Sequence, residues 1–550
     1  MKNTKLKRIF ATALTVALSL SVLAGCGKKD SGSTAAAEQI VRYNLGANPK
    51  TLDPALNSAV DGAIVLVNAF EGLMKLDNND QPVAGVAESY EMSADGLTYT
   101  FKLRKDAKWS DGSQVTAGDF EYAWKRALDP ATAAEYAYQM YYLKNGESYN
   151  TNGGAKKDDV GVKATDESTL VVTLENPTPY FLSLAAFPTY FPVKKDVVEK
   201  DADWANKPET YISNGAFKMK EFLPKDSITF VKNDNYYGKA DVKLDTIKYT
   251  LVEDQNSAYA SLKAGDLDMT DSVPSVEIEA GKSEGIVKTF PNLGTYFYVI
   301  NVGPNAKNIN ADAAKALSDA KVRKALNLAI NRKDLVSILK GGQEPAFSFV
   351  PTGINVAGGK DFAKTQYFKP EGDMAEAKKL LAEAGYADGK GLPTIEVLYN
   401  SGAGHEQVAQ AVQDMWKTNL GINVEIKAQE WAVFQTTRKQ KNYSIARHGW
   451  LGDYVDPMTF LDMWVTGSGQ NDAAYSNAKY DELIGKAKTE TDAAKRVEYM
   501  QDAEAQLMED MPIIPLYYYT QTKGLKPYVK DVHISPLGFV YFQTAFVEAH

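Results

Sequence analysis

The side chains that most often carry out catalysis are few in this chain, and they are widely spaced. The four histidines are His405, His448, His533 and His550. His405 and Glu406 begin like the zinc-binding helix of a metalloprotease, but position 409 is alanine, so the second ligand is missing. Cys26 is the only cysteine, which excludes zinc and redox motifs built from cysteine pairs. The sequence therefore predicts no metal site.

One segment matches a nucleophile motif by its letters alone. Residues 281–285 fit the GxSxG pattern, with Ser283 in the nucleophile position. That pattern works when an apolar strand precedes it and a helix follows it. Here Glu277 and Glu279 precede it, and a β-like stretch at residues 286–290 follows. We therefore predict a loop at this segment. The sequence shows no base-plus-nucleophile pair and no glycine-rich phosphate loop, which predicts a protein that is not an enzyme and needs no cofactor.

Composition and charge narrow the class further. The chain has 550 residues, of which 44% are hydrophobic and 24% charged, which is typical of a globular protein with two to four domains. The formal net charge is −9, and about −13 without the four basic residues near the N-terminus. A body this acidic repels phosphate backbones, so we expect no nucleic-acid partner.

The N-terminus indicates export. Four basic residues at positions 2–8 precede an uncharged, mostly apolar run over residues 9–25, as in a secretory signal peptide. The run ends in Leu23-Ala24-Gly25-Cys26, which resembles the bacterial lipobox, whose cysteine becomes the lipidated first residue. The alternative is a stray thiol after an ordinary signal peptide. We predict a lipoprotein signal peptide at residues 1–25 and a flexible, polar tether at residues 26–39.

Hydrophobic periodicity in the body predicts a mixed α/β fold. Residues 395–399 and 422–426 have strand patterns, and residues 406–419 between them have a helical apolar face. Strand, helix, strand is the repeating unit of an α/β sheet. No fixed-period repeat is present, which excludes solenoids and propellers. No segment after Cys26 has the run of about 18 apolar residues that a membrane-spanning helix needs.

Six short segments keep their order and spacing along the body. They read TLDP (51–54) with FEGL (70–73), VAESY (86–90), LRKDAKWSDG (103–112) with DF (119–120), SNGAF (213–217), VRKAL (322–326) and RHGWLGDY (447–454). Together they resemble the oligopeptide-binding branch of the solute-binding proteins of bacterial ABC importers, solute-binding protein family 5. The resemblance extends from about residue 40 to the C-terminus.

The resemblance implies a fold and its domain limits. The family has a periplasmic-binding-protein type II clamshell, in which two α/β lobes close on a ligand and an extra domain is inserted in the first lobe. On this chain, lobe one would be residues 40–70, 191–293 and 512–550, the inserted domain 71–190, and lobe two 294–511. The chain would cross between the lobes near residues 293 and 511. Prolines near the second crossing favour an extended backbone there.

The last motif carries the main site prediction. Residues 443–446 read as a strand, with Gly449 and Trp450 after its end, and ligands of α/β lobes bind beyond strand ends. Gly449 permits close backbone approach, and Trp450 offers an aromatic wall. The resemblance implies that Asp453 holds the α-ammonium of a bound peptide. The alternative is that Asp453 only forms a turn.

Other site residues follow from the resemblance alone. Cations of lobe two would meet the peptide carboxylate, at Arg447, Arg438, His405 or Lys340, although surface ion pairing is the alternative for Lys340. Main-chain contacts would come from the strand around Trp450 and from a lobe-one edge at Ser58, Ala59 and Val60, where this chain departs from the commonest pattern. Tyr136, Trp431 and Asn400 match pocket-lining positions, although core packing also explains the two aromatic residues.

These expectations combine into one functional hypothesis. The chain is expected to be a monomeric, lipid-anchored binding protein on the outer face of the bacterial cytoplasmic membrane that captures short peptides and delivers them to the permease of an ABC importer. Alternatives with the same fold are a receptor for another small solute, such as a dipeptide, a nickel chelate or haem, and a receptor for peptide pheromones. A hydrolase of cell-wall peptides is disfavoured, because no catalytic pair is visible.

Overall fold

The structure is a computed structural model that describes residues 38–46, 48–357, 359–401 and 404–550, apart from the side chains of Trp431 and Ala432. Residues Glu38–Glu548 cluster into one unit. The predicted signal peptide, Cys26 and most of the predicted tether lie outside the described residues.

Strands and helices alternate through the described chain. The strands are β1 Ile40–Asn44, β2 Met74–Leu76, β3 Pro82–Ala84, β4 Ala87–Met92, β5 Thr98–Leu103, β6 Val162–Asp166, β7 Thr169–Thr173, β8 Phe217–Leu223, β9 Ser227–Lys232, β10 Thr246–Thr250, β11 Met269–Thr270, β12 Val287–Ile300, β13 Glu344–Pro345, β14 Asn355–Val356, β15 Lys360–Asp361, β16 Ile395–Asn400, β17 Val424–Gln429, β18 Ile445–Leu451, β19 Ile513–Leu525, β20 Val529–Lys530, β21 His533–Ile534, β22 Val540–Tyr541 and β23 Phe546–Val547. The helices are α1 Val60–Ala69, α2 Ala117–Ala127, α3 Gly146–Asn150, α4 Phe181–Leu184, α5 Lys195–Val198, α6 Gln255–Ala264, α7 Ile278–Ser283, α8 Ala311–Leu317, α9 Ala320–Leu328, α10 Arg332–Leu339, α11 Met374–Glu383, α12 His405–Leu420, α13 Trp431–Lys439, α14 Met458–Leu461, α15 Ala478–Thr489 and α16 Ala493–Asp510. The predicted mixed α/β class is confirmed.

One sheet of eleven strands connects the two halves of the molecule. Its order is β17-β16-β18-β12-β19-β11-β1-β10-β9-β8, and β13 pairs with β19. The antiparallel strands β12 and β19 are long and run through both halves. Tyr296 to Ile300 are fully buried, and aromatic and β-branched residues of this kind favour a central strand.

The two long strands pass from one half to the other at different places. The β12–β19 register shifts between Pro291 and Thr295, close to the predicted crossing near 293. In this irregular stretch, Leu293 donates its backbone N–H to the Pro536 carbonyl at 2.6 Å and accepts from the Gly452 N–H at 2.7 Å. β19 pairs with β13 up to Tyr518 and with β11 from Gly524 onward.

The predicted second crossing near 511 lies just before β19, whose first half pairs with β12 and β13. Both crossings and the domain limits stay a prediction.

The predicted strand–helix–strand unit of lobe two is present. Strands β16 and β17 are parallel, in register from Ile395 opposite Val424, and helix α12 connects them. The helix packs its apolar face on the sheet, and Trp416 donates its indole N–H to the Leu326 carbonyl of α9 at 2.8 Å. Because β16 is also parallel to β18, the carboxyl ends of these three strands lie at the same edge of the sheet.

A smaller sheet forms within residues 71–190. Its order is β4-β5-β7-β6, and it shares no strand pair with the large sheet in the described chain. Helix α2 packs on it and begins with a capping box, in which Asp119 accepts from the backbone N–H of Thr116 at 2.8 Å. This agrees with a separately folded insertion, whose limits remain a prediction.

The loop predicted at the GxSxG segment is wrong in part. Helix α7 occupies Ile278–Ser283 and ends inside the segment, and Gly285 adopts a left-handed conformation with φ 74°. A Cβ at Gly281 would lie 2.4 Å from the Tyr259 hydroxyl oxygen, so this glycine serves helix packing. A nucleophile elbow needs a strand directly before it, and the described residues 271–277 form none, as expected from the sequence.

Candidate ligand-binding site

Asp453 lies two residues beyond the end of β18 and is surrounded by uncharged hydrogen-bond donors. Gln139 donates its side-chain amide to the carboxylate at 2.7 Å, and the hydroxyls of Tyr138 and Tyr136 donate at 3.3 and 3.4 Å. All three donors come from one short segment of the 71–190 region. The backbone N–H of Asp453 donates to Thr459 Oγ1 at 3.1 Å, which fixes the turn.

Electrostatics make Asp453 an unusual carboxyl group. Burial raises its pKa to about 7, the nearby charge of Asp462 adds to this rise, and the hydrogen bonds from Tyr138, Tyr136 and Gln139 oppose it. No ion pair joins Asp453 to a basic residue in the described chain. A desolvated carboxylate with donors but without a cation is suited to receive a cationic group from a ligand.

A small crevice of about 10 Å³, room for about one water molecule, adjoins this carboxyl group. Its lining is mostly apolar and is drawn from distant parts of the chain. The lining residues are Leu76, Asp80, Ser183, Ala186, Phe187, Asp453, Tyr454, Val455, Leu537 and Phe539. The anchor carboxylate thus lies in a tightly packed surrounding with little free space.

Strand β18 presents an open edge before it reaches Asp453. Ile445 and Ala446 pair with both β16 and β12, whereas residues 447–451 pair only with β12. The sequence prediction that the strand ends before Gly449 and Trp450 is wrong, because pairing with the long β12 extends it to Leu451. The Gly449 N–H donates to the His448 Nδ1 at 2.8 Å. The backbone groups on the unpaired side that have no such contact can pair with an extended ligand.

Gly449 is required by packing. A Cβ at this position would lie 2.2 Å from the Tyr519 hydroxyl oxygen and 3.1 Å from its ring carbon Cζ. The group that approaches Gly449 closely is thus the Tyr519 side chain. Close approach of a ligand at this glycine stays a prediction.

Arg447, at the start of the open edge, lies among tyrosine rings. Its guanidinium is 5.3 Å from the centre of the Tyr296 ring. Burial lowers the pKa of Arg447, but the neighbouring tyrosines Tyr519, Tyr296 and Tyr517 raise it more, so that it lies above its usual value. Arg447 therefore stays charged at physiological pH.

Two other predicted cations lie within the electrostatic reach of Arg447. His405 begins helix α12, its Nδ1 is 3.2 Å from the Tyr296 hydroxyl, and burial together with the Arg447 charge lowers its pKa to about 3. His405 is thus a neutral ring in this structure. Burial also lowers the pKa of Arg438, and the positive charge of Arg447 lowers it further.

Arg438 is not an isolated cation. Its Nε lies 2.9 Å from Asp472, a carboxylate whose side chain is 1% exposed. Lys439 Nζ and His448 Nε2 approach the same carboxylate at 3.6 and 3.1 Å. This ion-pair cluster could not be predicted from the sequence, since Asp472 is distant in the chain from Arg438 and shares no motif with it.

Lys340 stands apart from this group. It ends helix α10 in a left-handed conformation with φ 59°, is exposed, and has no hydrogen bond or ion pair to another described residue. Its role remains a prediction from the resemblance.

Two polar atoms near the carboxyl ends of the strands are buried without a partner in the described structure. Asn400 ends β16 and is 7% exposed; its Nδ2 donates to the Ser401 carbonyl at 3.2 Å, while its Oδ1 accepts nothing. The indole Nε1 of Trp450 is also buried without an acceptor. Such atoms cost about 1–3 kcal/mol each unless water or a ligand satisfies them. Trp431 begins α13, but its side chain lies outside the described part.

Ser58, Ala59 and Val60, predicted as a lobe-one edge that contacts the ligand main chain, lie at the start of helix α1. Val60 begins the helix, and Ala59, its N-terminal cap, has an extended backbone with φ −135° and ψ 151°. The contacts of these three residues with a ligand stay a prediction. Ser58 hydrogen-bonds to Glu135, next to Tyr136, so the segment does lie near the Asp453 site.

In the described residues, no group of three histidine, cysteine or acidic side chains is arranged to hold a metal ion. Nor does any described helix combine the length and apolar character needed to cross a bilayer.

Comparison with known proteins establishes the class. The family model of bacterial extracellular solute-binding proteins, family 5, middle, matches residues 81–472. The oligopeptide-binding protein OppA of Bacillus subtilis is 39% identical over 535 residues, which covers 95% of this chain and 94% of that protein. The chain therefore belongs to the family 5 extracellular solute-binding proteins.

Solved structures support the same conclusion about the fold. Listeria monocytogenes OppA bound to peptide is 31% identical with a TM-score of 0.78, and the match covers 93% of this chain and 99% of that one. Haemophilus influenzae OppA in complex with the peptide RPPGFSPFR is 33% identical with a TM-score of 0.77, with the same coverage. The predicted family and two-lobe α/β fold are thus confirmed.

Proposed function

We propose that this protein captures short peptides between its two lobes and delivers them to an ABC importer. The observation that carries the proposal is the Asp453 carboxylate, which is surrounded by donors and lacks a cationic partner in the described chain. A peptide α-ammonium supplies the missing charge. The names of the relatives, which include oligopeptide-binding proteins with bound peptide, support the same ligand class.

The distance between the charged ends suits a short peptide. Arg447 precedes Asp453 by six positions, which corresponds to at most about 20 Å of extended chain. The open edge of β18 lies between them and can pair with a ligand backbone. Arg447, Arg438, His405 and Lys340 remain candidates for the peptide carboxylate, with His405 acting as a neutral hydrogen-bond partner.

Native mass spectrometry of the purified protein tests this function directly. We expect short peptides to be carried from the expression host and to exchange with added peptide. Incubation should leave the added peptide intact, since the proposed role is binding without hydrolysis. A protein that retains no peptide and binds none from a mixed library would contradict the proposal.

We also propose that the protein is lipid-anchored through Cys26 outside the cytoplasmic membrane. Cys26→Ala should leave full-length or secreted protein without lipid, because the thiol is the acylation site in a lipobox. The measurement is partition between membrane and soluble fractions, with Ser31→Ala as a control in the same predicted tether. Equal membrane association of the Cys26→Ala variant and the parent would show that the anchor assignment is wrong.

Peptide length should matter more than side-chain identity. Main-chain pairing with an open strand edge is common to all sequences, and water in side-chain pockets can rearrange around different groups. Exchange of one central residue at fixed length should therefore change the affinity by about tenfold or less, near 1.4 kcal/mol. Calorimetric titration of a peptide panel measures this. If one residue type were required at every length, a dedicated pheromone receptor would be the better explanation.

A further inference from the structure

The Tyr180 side chain joins two parts of the protein that are distant in sequence. Its ring stacks on Tyr454, with centroids 4.7 Å apart and an angle of 6° between the planes. The Arg496 guanidinium lies 5.2 Å from the centre of the same ring. Tyr180 belongs to the predicted inserted domain, and the other two residues belong to the predicted lobe two. The ring therefore contacts two residues of the predicted lobe two.

Polar contacts complete this aromatic clamp, which we define as Tyr142, Tyr180, Tyr454 and Arg496. Tyr142 meets the Tyr180 ring edge-on at 5.4 Å and donates its hydroxyl to the Asp462 carboxylate at 3.2 Å. Asp456 accepts two hydrogen bonds from Arg496, both of 2.8 Å. Arg496 is thus fixed in place while it covers Tyr180.

The aromatic clamp and the Asp453 site lie in the same interface. Tyr454 directly follows Asp453, and Tyr142 is three residues after Gln139, which donates to Asp453. The donors on Asp453 stay in place only while the 71–190 region rests on residues 453–462. Beside the Asp453 site, the aromatic clamp combines ring stacking, a cation–π contact and a hydrogen bond.

We propose that Tyr180 is a positioning residue for the ligand site. By stacking on Tyr454, it holds the predicted inserted domain against lobe two and so keeps the donors Tyr136, Tyr138 and Gln139 on Asp453. Through these donors, Tyr180 sets the residence time of a bound peptide. This inference rests on the proposed peptide-binding function. Tyr180 does not line the crevice beside Asp453, whereas Tyr454 does, so Tyr180 acts on the site through Tyr454.

The direct test is the dissociation rate of a fluorescent peptide with a free amino terminus, measured by stopped-flow displacement. Loss of one stacked pair and one cation–π contact should make Tyr180→Ala release peptide roughly tenfold faster, while the association rate changes little. Tyr180→Phe keeps both ring contacts and loses only the hydrogen bond between the Tyr180 and Tyr142 hydroxyls, so its release rate should stay close to that of the wild type. Tyr90→Ala removes an exposed tyrosine of the same region, 41% exposed, and is the matched control.

A second readout separates positioning from a general loss of stability. The preference for free over N-acetylated peptide should shrink in Tyr180→Ala, because the donors around Asp453 lose their fixed position. Tyr180→Leu, which keeps most of the buried volume, should give the same two changes and replaces the alanine variant if that variant does not fold.

Unchanged dissociation in the alanine and leucine variants, or equal effects of Tyr180→Phe and Tyr180→Ala, would overturn the positioning role. If the wild-type protein and Tyr90→Ala bind no peptide at all, the proposed function fails instead.

Discussion

Asp453→Asn should remove most of the affinity for peptides with a free amino terminus. The substitution keeps the size of the side chain and removes the charge that would meet the α-ammonium. Truncating one member of a buried charge pair costs about 2–5 kcal/mol, which is about 30-fold to several thousandfold in affinity. Isothermal titration with a peptide series of one length measures the loss.

Two comparisons make this experiment specific. N-acetylated peptide should bind the wild type weakly. Its affinity should fall little further in Asp453→Asn, because an acetylated peptide has no ammonium to pair with the carboxylate. Asp414→Asn removes an exposed carboxylate on α12 and should leave the affinity unchanged. Equal affinity of the wild type for acetylated and free peptide would exclude Asp453 as the ammonium anchor.

Peptide affinity should fall about tenfold for each pH unit below about 7. Burial raises the pKa of the Asp453 carboxyl to about 7 in the ligand-free protein, so this group must lose a proton before it can bind an ammonium. The loss continues until the pH reaches the much lower pKa of the same carboxyl in the complex. Between pH 7 and pH 5, we therefore expect a decrease of up to about a hundredfold.

The buried histidines His405 and His448 do not produce this slope. The pKa values of His405 and His448, lowered by burial to about 3 and about 4, leave both rings neutral throughout the range. Titrations at pH 5–7.5 keep the peptide amine protonated. The pH slope should disappear in Asp453→Asn and with N-acetylated peptide. A flat profile for the wild type would mean that Asp453 is already ionised without ligand.

The same carboxyl group has the opposite effect on folding. A carboxyl whose folded pKa is raised above its unfolded value contributes stability that is present at low pH and lost as the pH rises through the folded pKa. For Asp453 this window extends from about 4 to about 7, as it does for the buried Glu504, whose pKa is also raised by burial to about 7. Ligand-free protein is therefore less stable above this window, and peptide binding offsets the difference at Asp453.

The sequence predicted the elements whose signals are local. The helix at α12, its flanking parallel strands and the position of Asp453 depend on periodicity and on a continuous motif. At Ser58–Val60 the resemblance did not indicate where the helix begins, since Ala59 is extended and the next residue already begins α1.

The residues that the sequence missed depend on contacts between distant segments. Tyr138 and Gln139 lie in the short 3-10 helix Ala137–Met140, which has no hydrophobic periodicity to mark it. Asp472 pairs with Arg438 only after the lobe has folded. The neutral state of His405 follows from burial and from the charge of Arg447, and neither can be read from neighbouring residues.

The irregular stretch of β12 gives the two halves of the molecule a restricted freedom of movement. Leu293 accepts a hydrogen bond from Gly452, which directly precedes Asp453, and donates one to Pro536 in the C-terminal segment. An antiparallel pair of continuous strands resists stretching and in-plane shear far more than it resists bending. Bending at this stretch is therefore the relative motion of the two halves that we expect to be softest, and the residue before the ligand anchor is hydrogen-bonded to it. A bound ammonium at Asp453 would thus pull close to the bend, which couples ligand capture mechanically to movement of the two halves.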